Sequence, residues 1–496
     1  MLNSRQYNWR IVLTLISLIL LLILSAMACE KEQEDAQPSA GNRAGATATI
    51  LSTNVRQTPS GSEKTAAAKT PSPEATLQTA VSSASSETGT ASRTLAPTPT
   101  QTKTQTPKPT AAPTPTPNAY NGNTNLTEGK IIEFSHPSGY YDAPFTLKLS
   151  YDSSYKVYYT LNGNTPTTSS KAYTSSGIAV NDLSSDSGKD DDVVVIRAAA
   201  FKNGTQVGTT VTATYIVNKK YSSFSGRYND LAVISITTDK TNLYGSNGIF
   251  TNYTEHGRES ERPAHVEFFD SDGTAGFSID AGIRVYGGTS RANPQKSLKL
   301  VARKEYDADN GKFKYPMIEG RYDLSGQIID RYDSFILRAG GNDNLFGGER
   351  NTLLRDALIH SLACRISNIA AQAYRPVVVY INGDYFGVYN LRDDTDNDYL
   401  EQHYGIPKEE VAIIAYGHEN GNWFYKIDEG TQSDLNDYQN MLSWIASNNM
   451  ASASNYKKAC EMLDTDNFIK YIAVNVYANN RDWPHNNVRA WKYTGT

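Results

Sequence analysis

From Glu30 to Ala119 the chain has no phenylalanine, tyrosine or tryptophan, and Thr, Pro, Ser and Ala dominate as far as TPTQTKTQTPKPTAAPTPTP. Ordering a residue costs about 1–2 kcal/mol of backbone entropy, and a stretch without large apolar side chains has nothing to offset it. A packed domain is excluded there, and residues 29–128 are predicted to be a disordered linker whose Thr-Pro part extends at about 3 Å per residue. Cysteine is also scarce: three in 496 residues, with only Cys364 and Cys460 after Cys29. That excludes a disulfide-built scaffold and leaves one bridge or two unpaired buried thiols. No Cys/His spacing suggests zinc. Basic excess is missing too, with 47 Lys and Arg against 52 Asp and Glu, which argues against nucleic acid as a partner. Signatures of common enzymes are absent: there is no G-x-S-x-G, no H-E-x-x-H and no Walker A loop.

One long apolar run exists, from Ile11 to Ala28, behind MLNSRQYNWR with its two arginines. This is the form of an export signal over residues 1–28. It ends Ala26-Met27-Ala28-Cys29, which resembles the lipobox of bacterial lipoproteins, although Ala26 stands where Leu is usual. The resemblance implies lipidation of Cys29 and a lipid anchor in the bacterial cell membrane, with the rest on the extracytoplasmic face. An uncleaved spanning helix is the alternative, since about 18 apolar residues just cross a bilayer. Both place the remainder outside the cytoplasm.

Aromatics return at Tyr120, and short alternating strands follow: FTLKLS at 145–150, YKVYYT at 155–160, DVVVIRAAAF at 192–201 and TVTATYIV at 210–217. Asn162-Gly163 and Asn203-Gly204 are hairpin signals. Residues 129–218 are therefore expected to form a small all-β sandwich. The stretches IIEFSHPSGYYDAPFTLKLS, YYTLNGNTPTTSSKAYTSSGIAV and IRAAAFKNG resemble the chitobiase/β-hexosaminidase C-terminal domain, which implies an accessory module. Tyr140, Tyr141, Tyr158 and Tyr159 are candidates for stacking on a glycan, with packing into the core as the alternative.

Residues 224–496 carry mixed signals. LAVISITT, HVEFFD and GIRVYGG read as strands, and VVVYINGDYFGVYNL reads as a hairpin turning at Asn382-Gly383. Asn351 is placed to cap a helix with Leu354, Leu358, Leu362 and Arg365 on one side, and helices fit 434–447 and 466–478. Strands first and helices later predict an α+β fold. DADNG at 307–311 and DDTDND at 393–398 hint at calcium loops but lack the Gly and Glu of an EF-hand, so both are read as solvated turns.

The decapeptide NNRDWPHNNV, residues 479–488, holds the strongest chemical pattern. Phosphoryl transfer needs a carboxylate beside the attacking hydroxyl and, a few residues on, an amide oxygen for a metal ion; protein kinases place this Asp and Asn five positions apart. Asp482 and Asn487 have that spacing, and Asn486 is a rival. By itself the pattern also fits a polar turn.

Other stretches change that balance. IRVYGGTSRANPQKSLKL, FILRAGGND, LLRDALIHSLA, AYRPVVVYINGDYFGVYNLRDDTDNDYLEQHYGI and DNFIKYIAVNVYANNRDWPHNNVRAWKY resemble the CotH kinase family, in the right order, over about residues 230–496. The resemblance implies a divergent secretory-kinase-like fold and phosphate transfer from ATP, with Mg²⁺ or Mn²⁺, to Ser or Thr of a surface or coat protein. It assigns catalysis to Asp482, Lys296 and Asp393, and metal binding to Asn487, Asn486 and Asp393. Lys296 would stabilise phosphate charge, and Lys299 is the alternative because it points to the opposite face of a strand. Gly287, Gly288, Ser290 and Arg291 would cradle phosphate, unless they form a simple turn between strands.

Two departures weaken the expected activity. Leu391-Arg392-Asp393 stands where the family commonly reads L-R-E, one methylene shorter. The Trp-Asp-x-Asp-type segment, whose carboxylate holds metal in the family, is expected beyond VRAWKYTGT and does not occur before Thr496. The alternative reading is a catalytically dead surface protein that binds glycans or partner proteins.

Overall fold

Asn203 and Gly204 both take positive φ, 51° and 83°, as a two-residue type I′ turn demands. They join two long strands in register at Lys202 and Thr205. The structure, a computed structural model, describes residues 131–181, 193–217, 231–344, 351–366, 369–419, 422–484 and 486–495. The stretch read as an export signal, Cys29 and the Thr/Pro stretch lie outside the described residues. No helix of the described residues is long and apolar enough to cross a membrane.

The first part has nine strands: β1 (Ile132–Phe134), β2 (Gly139–Tyr141), β3 (Phe145–Leu147), β4 (Leu149–Tyr151), β5 (Lys156–Thr160), β6 (Lys171–Ala172), β7 (Ile178–Val180), β8 (Val193–Lys202) and β9 (Thr205–Val217). They pair as β2-β9-β8-β5-β6, β3-β7 and β1-β4, around Leu147, Val157, Ile178, Ile196 and Tyr215. Asn162-Gly163 does not close a tight hairpin. It lies in the longer loop between β5 and β6, where Arg197 donates to the Gly163 carbonyl at 2.9 Å. Of the four tyrosines considered for glycan stacking, Tyr140, Tyr141 and Tyr159 are buried. Their place is in packing, because alternation turns them toward one sheet face or the other.

The second part is built on a closed barrel. Its strands are β10 (Ala232–Thr237), β11 (Arg262–Phe269), β12 (Ala275–Val285), β13 (Leu298–Val301), β16 (Ser334–Arg338), β17 (Arg375–Ile381) and β18 (Asp384–Asp393). The order around the barrel is β10-β11-β12-β13-β16-β18-β17. Neighbours are antiparallel except β10 and β17, whose parallel pairing closes it. A small ribbon, β14 (Phe313–Lys314) and β15 (Arg331–Tyr332), lies outside that order. Because successive side chains alternate across a strand, Leu298, Leu300, Phe335, Leu337 and Leu391 fill the interior. The cross-strand row Arg284, Lys299, Ile336 and Arg392 therefore faces outward.

Beyond the barrel, β19 (Val411–Glu419), β20 (Asn422–Glu429) and β21 (Val488–Tyr493) form a three-stranded sheet in the order β20-β19-β21. Six α-helices occur among the described residues: α1 (Lys240–Leu243), α2 (Arg355–Ala363), α3 (Asn397–Tyr404), α4 (Gln432–Ser447), α5 (Ala453–Met462) and α6 (Thr465–Tyr477). The whole is α+β. A capping box between Thr431 and Asp434 starts α4.

Helix α2 departs from expectation. Asn351 does not cap it; Asp343, from another segment, accepts from the Arg355 and Thr352 amides at 3.0 and 2.8 Å. Leu354, Leu358 and Leu362 are exposed, while Ala357 and Ala363 are buried. The side turned to the barrel is ionic, with Asp356 3.0 Å from Arg392, so the leucines point away. Cys364 and Cys460 form no bridge and are exposed, not buried.

Candidate functional site

Lys299 sits on the outer wall of the barrel, where its ammonium forms a close ion pair with Asp394 and lies 3.6 Å from Asp396. Both carboxylates belong to the segment leaving β18. Asp396 also caps α3, accepting from the Tyr399 amide at 3.2 Å. Asp394 is buried, and its Oδ1 has no hydrogen-bond partner among the described residues. Burial, reinforced by the neighbouring Asp394 charge, pushes Asp396 up to about 7. Burial opposes the charge on Lys299 as well, but Asp394 and Asp396 outweigh it and hold the ammonium above its ordinary value.

This pair is not the one expected. Asp393 points to the other side of β18, where Oδ1 accepts from the Ala373 amide at 2.7 Å and Oδ2 from Arg321 at 2.7 Å. Arg321 reaches the Tyr399 hydroxyl (3.1 Å) and the Ala371 carbonyl (3.2 Å) as well, so Asp393 anchors a structural network. Lys296 donates to the Arg291 and Asn293 carbonyls at 2.8 and 3.1 Å and lies over the Tyr253 ring. Its ammonium is committed to that turn, and burial lowers its pKa. The fold thus unites Lys299 with Asp394 and leaves Lys296 and Asp393 with separate partners. Lys296 precedes β13 and is held by its turn, whereas the opposite facing of Asp393 and Asp394 follows from strand alternation. It also corrects the reading of DDTDND as a solvated turn, since Asp393 and Asp394 are buried. DADNG does form such a turn, with Asp307 accepting from the amides of Asp309 and Asn310.

The Gly-Gly turn follows Tyr286, itself next to Asp394 electrostatically. Gly287 has φ 112°, and a Cβ there would meet Ser290 Oγ at 2.7 Å, so glycine is required. Gly288 is open on the same measure. Arg291 is not available as a phosphate clamp: it is buried, with donors turned to the carbonyls of Gly287, Tyr253 and Glu255 at 2.6–3.0 Å. Exposed anion-binding potential lies with Gly288 and its neighbour Thr289.

The decapeptide is a knot of amides around one carboxylate. Asn487 and Asn486 donate to Asp482 at 2.8 and 3.2 Å, and the Asp482 amide donates to Asn480 Oδ1 at 3.1 Å. Trp483 anchors the loop on α6 through the Tyr471 hydroxyl at 2.9 Å. Asn487 has φ 58°, a left-handed turn that starts β21. Two residues on, Arg489 contacts Asp428 of β20 at 2.9 Å and donates to the Thr395 carbonyl at 3.2 Å. Thr395 stands between Asp394 and Asp396, so Arg489 joins the Asp482 strand to the acid pair.

Sequence reasoning missed Asp394, Asp396, Arg489 and Asp428. Asp396 had a signal, as the cap of a helix beginning at Asn397. Asp394 follows from alternation once Leu391 is placed in the core.

A closed barrel carrying an outward lysine–carboxylate pair, backed by a helical and β-sheet C-terminal part, defines an α+β protein whose polar centre lies on the barrel wall. Residues 283–496 match the family described as CotH kinase protein. Residues 136–212 match the chitobiase/beta-hexosaminidase C-terminal domain. The chain thus carries both domain types, in the order expected from its sequence, and β10, β11 and most of β12 complete the barrel ahead of the first-named match. No curated protein matches the chain.

As a metal site, Asp394 and Asp396 offer two carboxylates, one with a buried oxygen that has no partner among the described residues. Among the described residues no group of three His, Cys, Asp or Glu is disposed to hold a metal ion. One or two carboxylates completed by phosphate oxygens and water is the pattern of Mg²⁺.

Proposed function

We propose that the chain is a CotH-like, divergent secretory-kinase-type phosphotransferase that moves phosphate from ATP to Ser or Thr hydroxyls of a surface or coat protein. Export and lipidation at Cys29 would hold it on the outside of the bacterial membrane. The observation that carries the reading is the Lys299–Asp394 ion pair on the barrel wall, linked through Arg489 to the strand that emerges from the Asp482 loop.

In this reading Lys299 stands against the phosphates, where its charge offsets the charge developing on the transferred group. The Gly288 and Thr289 amides contribute donors. Asp394 and Asp396 would hold Mg²⁺ or Mn²⁺, which would neutralise phosphate charge. Asp482, fixed by Asn486 and Asn487, orients the substrate hydroxyl and accepts its proton. The hydroxyl oxygen forms its bond to the γ-phosphorus as the bond to the bridging oxygen breaks and ADP departs. Asn487, whose Nδ2 holds Asp482 at 2.8 Å, would offer its Oδ1 to the metal.

Labelled phosphate transfer from ATP to surface proteins tests this. Asp482→Asn is expected to lower incorporation by about 10²-fold or more. Equal incorporation by both forms rules out Asp482 as the proton acceptor. A second reading, a non-catalytic protein binding glycans or partner proteins, draws on the fact that the Lys299 ammonium is already ion-paired with Asp394 and lies 3.6 Å from Asp396. Absence of nucleotide binding by the wild-type chain would favour it.

A further inference from the structure

The outer face of β10–β12 packs beneath the sandwich, and the seam is apolar at one end and polar at the other. At the apolar end Tyr140, Val193 and Ile216 meet Val233, Phe269, Val378 and Tyr380. At the polar end Thr214 Oγ1 lies 2.8 Å from Ser235 Oγ. Thr165 donates to Asp239 through its amide and hydroxyl, at 2.5 and 2.7 Å. His265 bonds Asp280 at 2.7 Å through Nδ1 and Ser278 at 2.9 Å through Nε2.

Glu267 of β11 stands in that polar end, with Ser235 and Ser278 as its cross-strand neighbours. It is 1% exposed, and neither carboxylate oxygen has a hydrogen-bond partner among the described residues. Thr237, also on the outward face of β10 and diagonal to Glu267, has a buried hydroxyl without a partner. Diagonal neighbours lie about 7–8 Å apart at Cα, within the span of two side chains meeting at one ion.

An unpaired buried carboxylate is costly unless a positive charge reaches it. The nearby cationic groups are mostly engaged elsewhere: Arg197 donates to Gly163 and lies 4.0 Å from Asp239, leaving only its buried Nε without a partner among the described residues, and His265, whose charge burial opposes but Asp280 and Glu267 favour more strongly, has both ring nitrogens on Asp280 and Ser278. A buried water would satisfy lone pairs but leave the charge.

We propose that Glu267, with the hydroxyls of Thr237 and Ser235, seats a monovalent alkali cation, Na⁺ or K⁺, in the seam between sandwich and barrel. One carboxylate with neutral hydroxyls matches a single positive charge and an oxygen-preferring ion. The ion braces the barrel face beneath the sandwich, which reaches it through the Thr214–Ser235 contact, and is independent of the phosphotransfer centre.

The test is thermal unfolding of the full chain in choline chloride, with NaCl or KCl replacing choline at constant ionic strength. The wild-type Tm is expected to rise and saturate, as binding to the folded state requires. Glu267→Gln is expected to melt higher than wild type in choline and to show no response, and Thr237→Val to shift the response to higher salt. Identical responses of wild type and Glu267→Gln, a flat wild-type response, or a rise with CaCl₂ alone would overturn the proposal.

Discussion

Lys296 and Lys299 lie three residues apart and meet different surroundings, because Lys296 is held by the turn that precedes β13 while Lys299 stands on the outward face of that strand. Lys299→Met is therefore expected to abolish binding of a fluorescent ATP analogue even in the molecules that remain folded, and to cost about 3–5 kcal/mol because it leaves Asp394 buried without its counter-ion. Lys296→Met removes two bonds to buried carbonyls and is expected to cost about 1–3 kcal/mol in denaturant unfolding, with nucleotide binding kept in the molecules that remain folded. Equal loss of binding in both would contradict the assignment. Asp396 gives a prediction in pH. Its folded-state value, about 7, lies above that of an unfolded aspartate, so between roughly pH 4 and 7 the folded chain binds the extra proton and stability rises as pH falls. At pH 8 the ionised group costs stability. Asp396→Asn keeps the cap on α3 and removes that cost, since Asn caps as well as Asp. In metal-free buffer the variant should melt above wild type at pH 8, with the gap shrinking as pH drops below 7; a gap independent of pH would show that the charge is not the cause.

At the level of elements, α2 shows how an apolar stripe misleads. Leu354, Leu358 and Leu362 recur at helical spacing, yet the buried side is set by Ala357 and by Asp356 facing Arg392. Leu358→Ser is expected to change stability by no more than about 0.5 kcal/mol. Asp343→Ala, which strips the helix start of its acceptor, is expected to cost about 0.5–2 kcal/mol; both are read by urea unfolding. Other elements were plain beforehand. Asn382-Gly383 closes β17 and β18 with φ of 56° and 85°, and α4 and α6 fall where their periodicity put them. The sheet of β19, β20 and β21 was missed: β19 and β20 are neighbours in sequence, but β21 begins more than 50 residues after β20 ends, and only its pairing with β19 reveals it as part of the sheet.

For the whole molecule, the sandwich is not a loosely tethered module. It covers Val233, Phe269, Val378 and Tyr380 of the barrel, and Gly383 at the β17–β18 turn is so close that a Cβ would meet the Val193 carbonyl at 2.9 Å. A chain beginning at residue 224 is expected to expose that patch, bind a hydrophobic dye and self-associate in light scattering. If it stays monomeric and dye-free, the seam contributes little to the barrel. Gly383→Ala is strained by its positive φ and by this contact, and should lower Tm in the full chain.

Composition and local pattern sufficed for the α+β order of elements, the tight turns at Asn203-Gly204 and Asn382-Gly383 and the two family resemblances, because each depends on residues near one another in the chain. Which lysine faces which carboxylate did not, nor did the burial of Glu267 or the reach of Arg489 to Thr395. Those depend on which side of a strand faces the barrel core and on which distant segment covers the other side. A one-residue shift of phase on β18 moves the acid from one face to the other, and only the closed barrel fixes that phase.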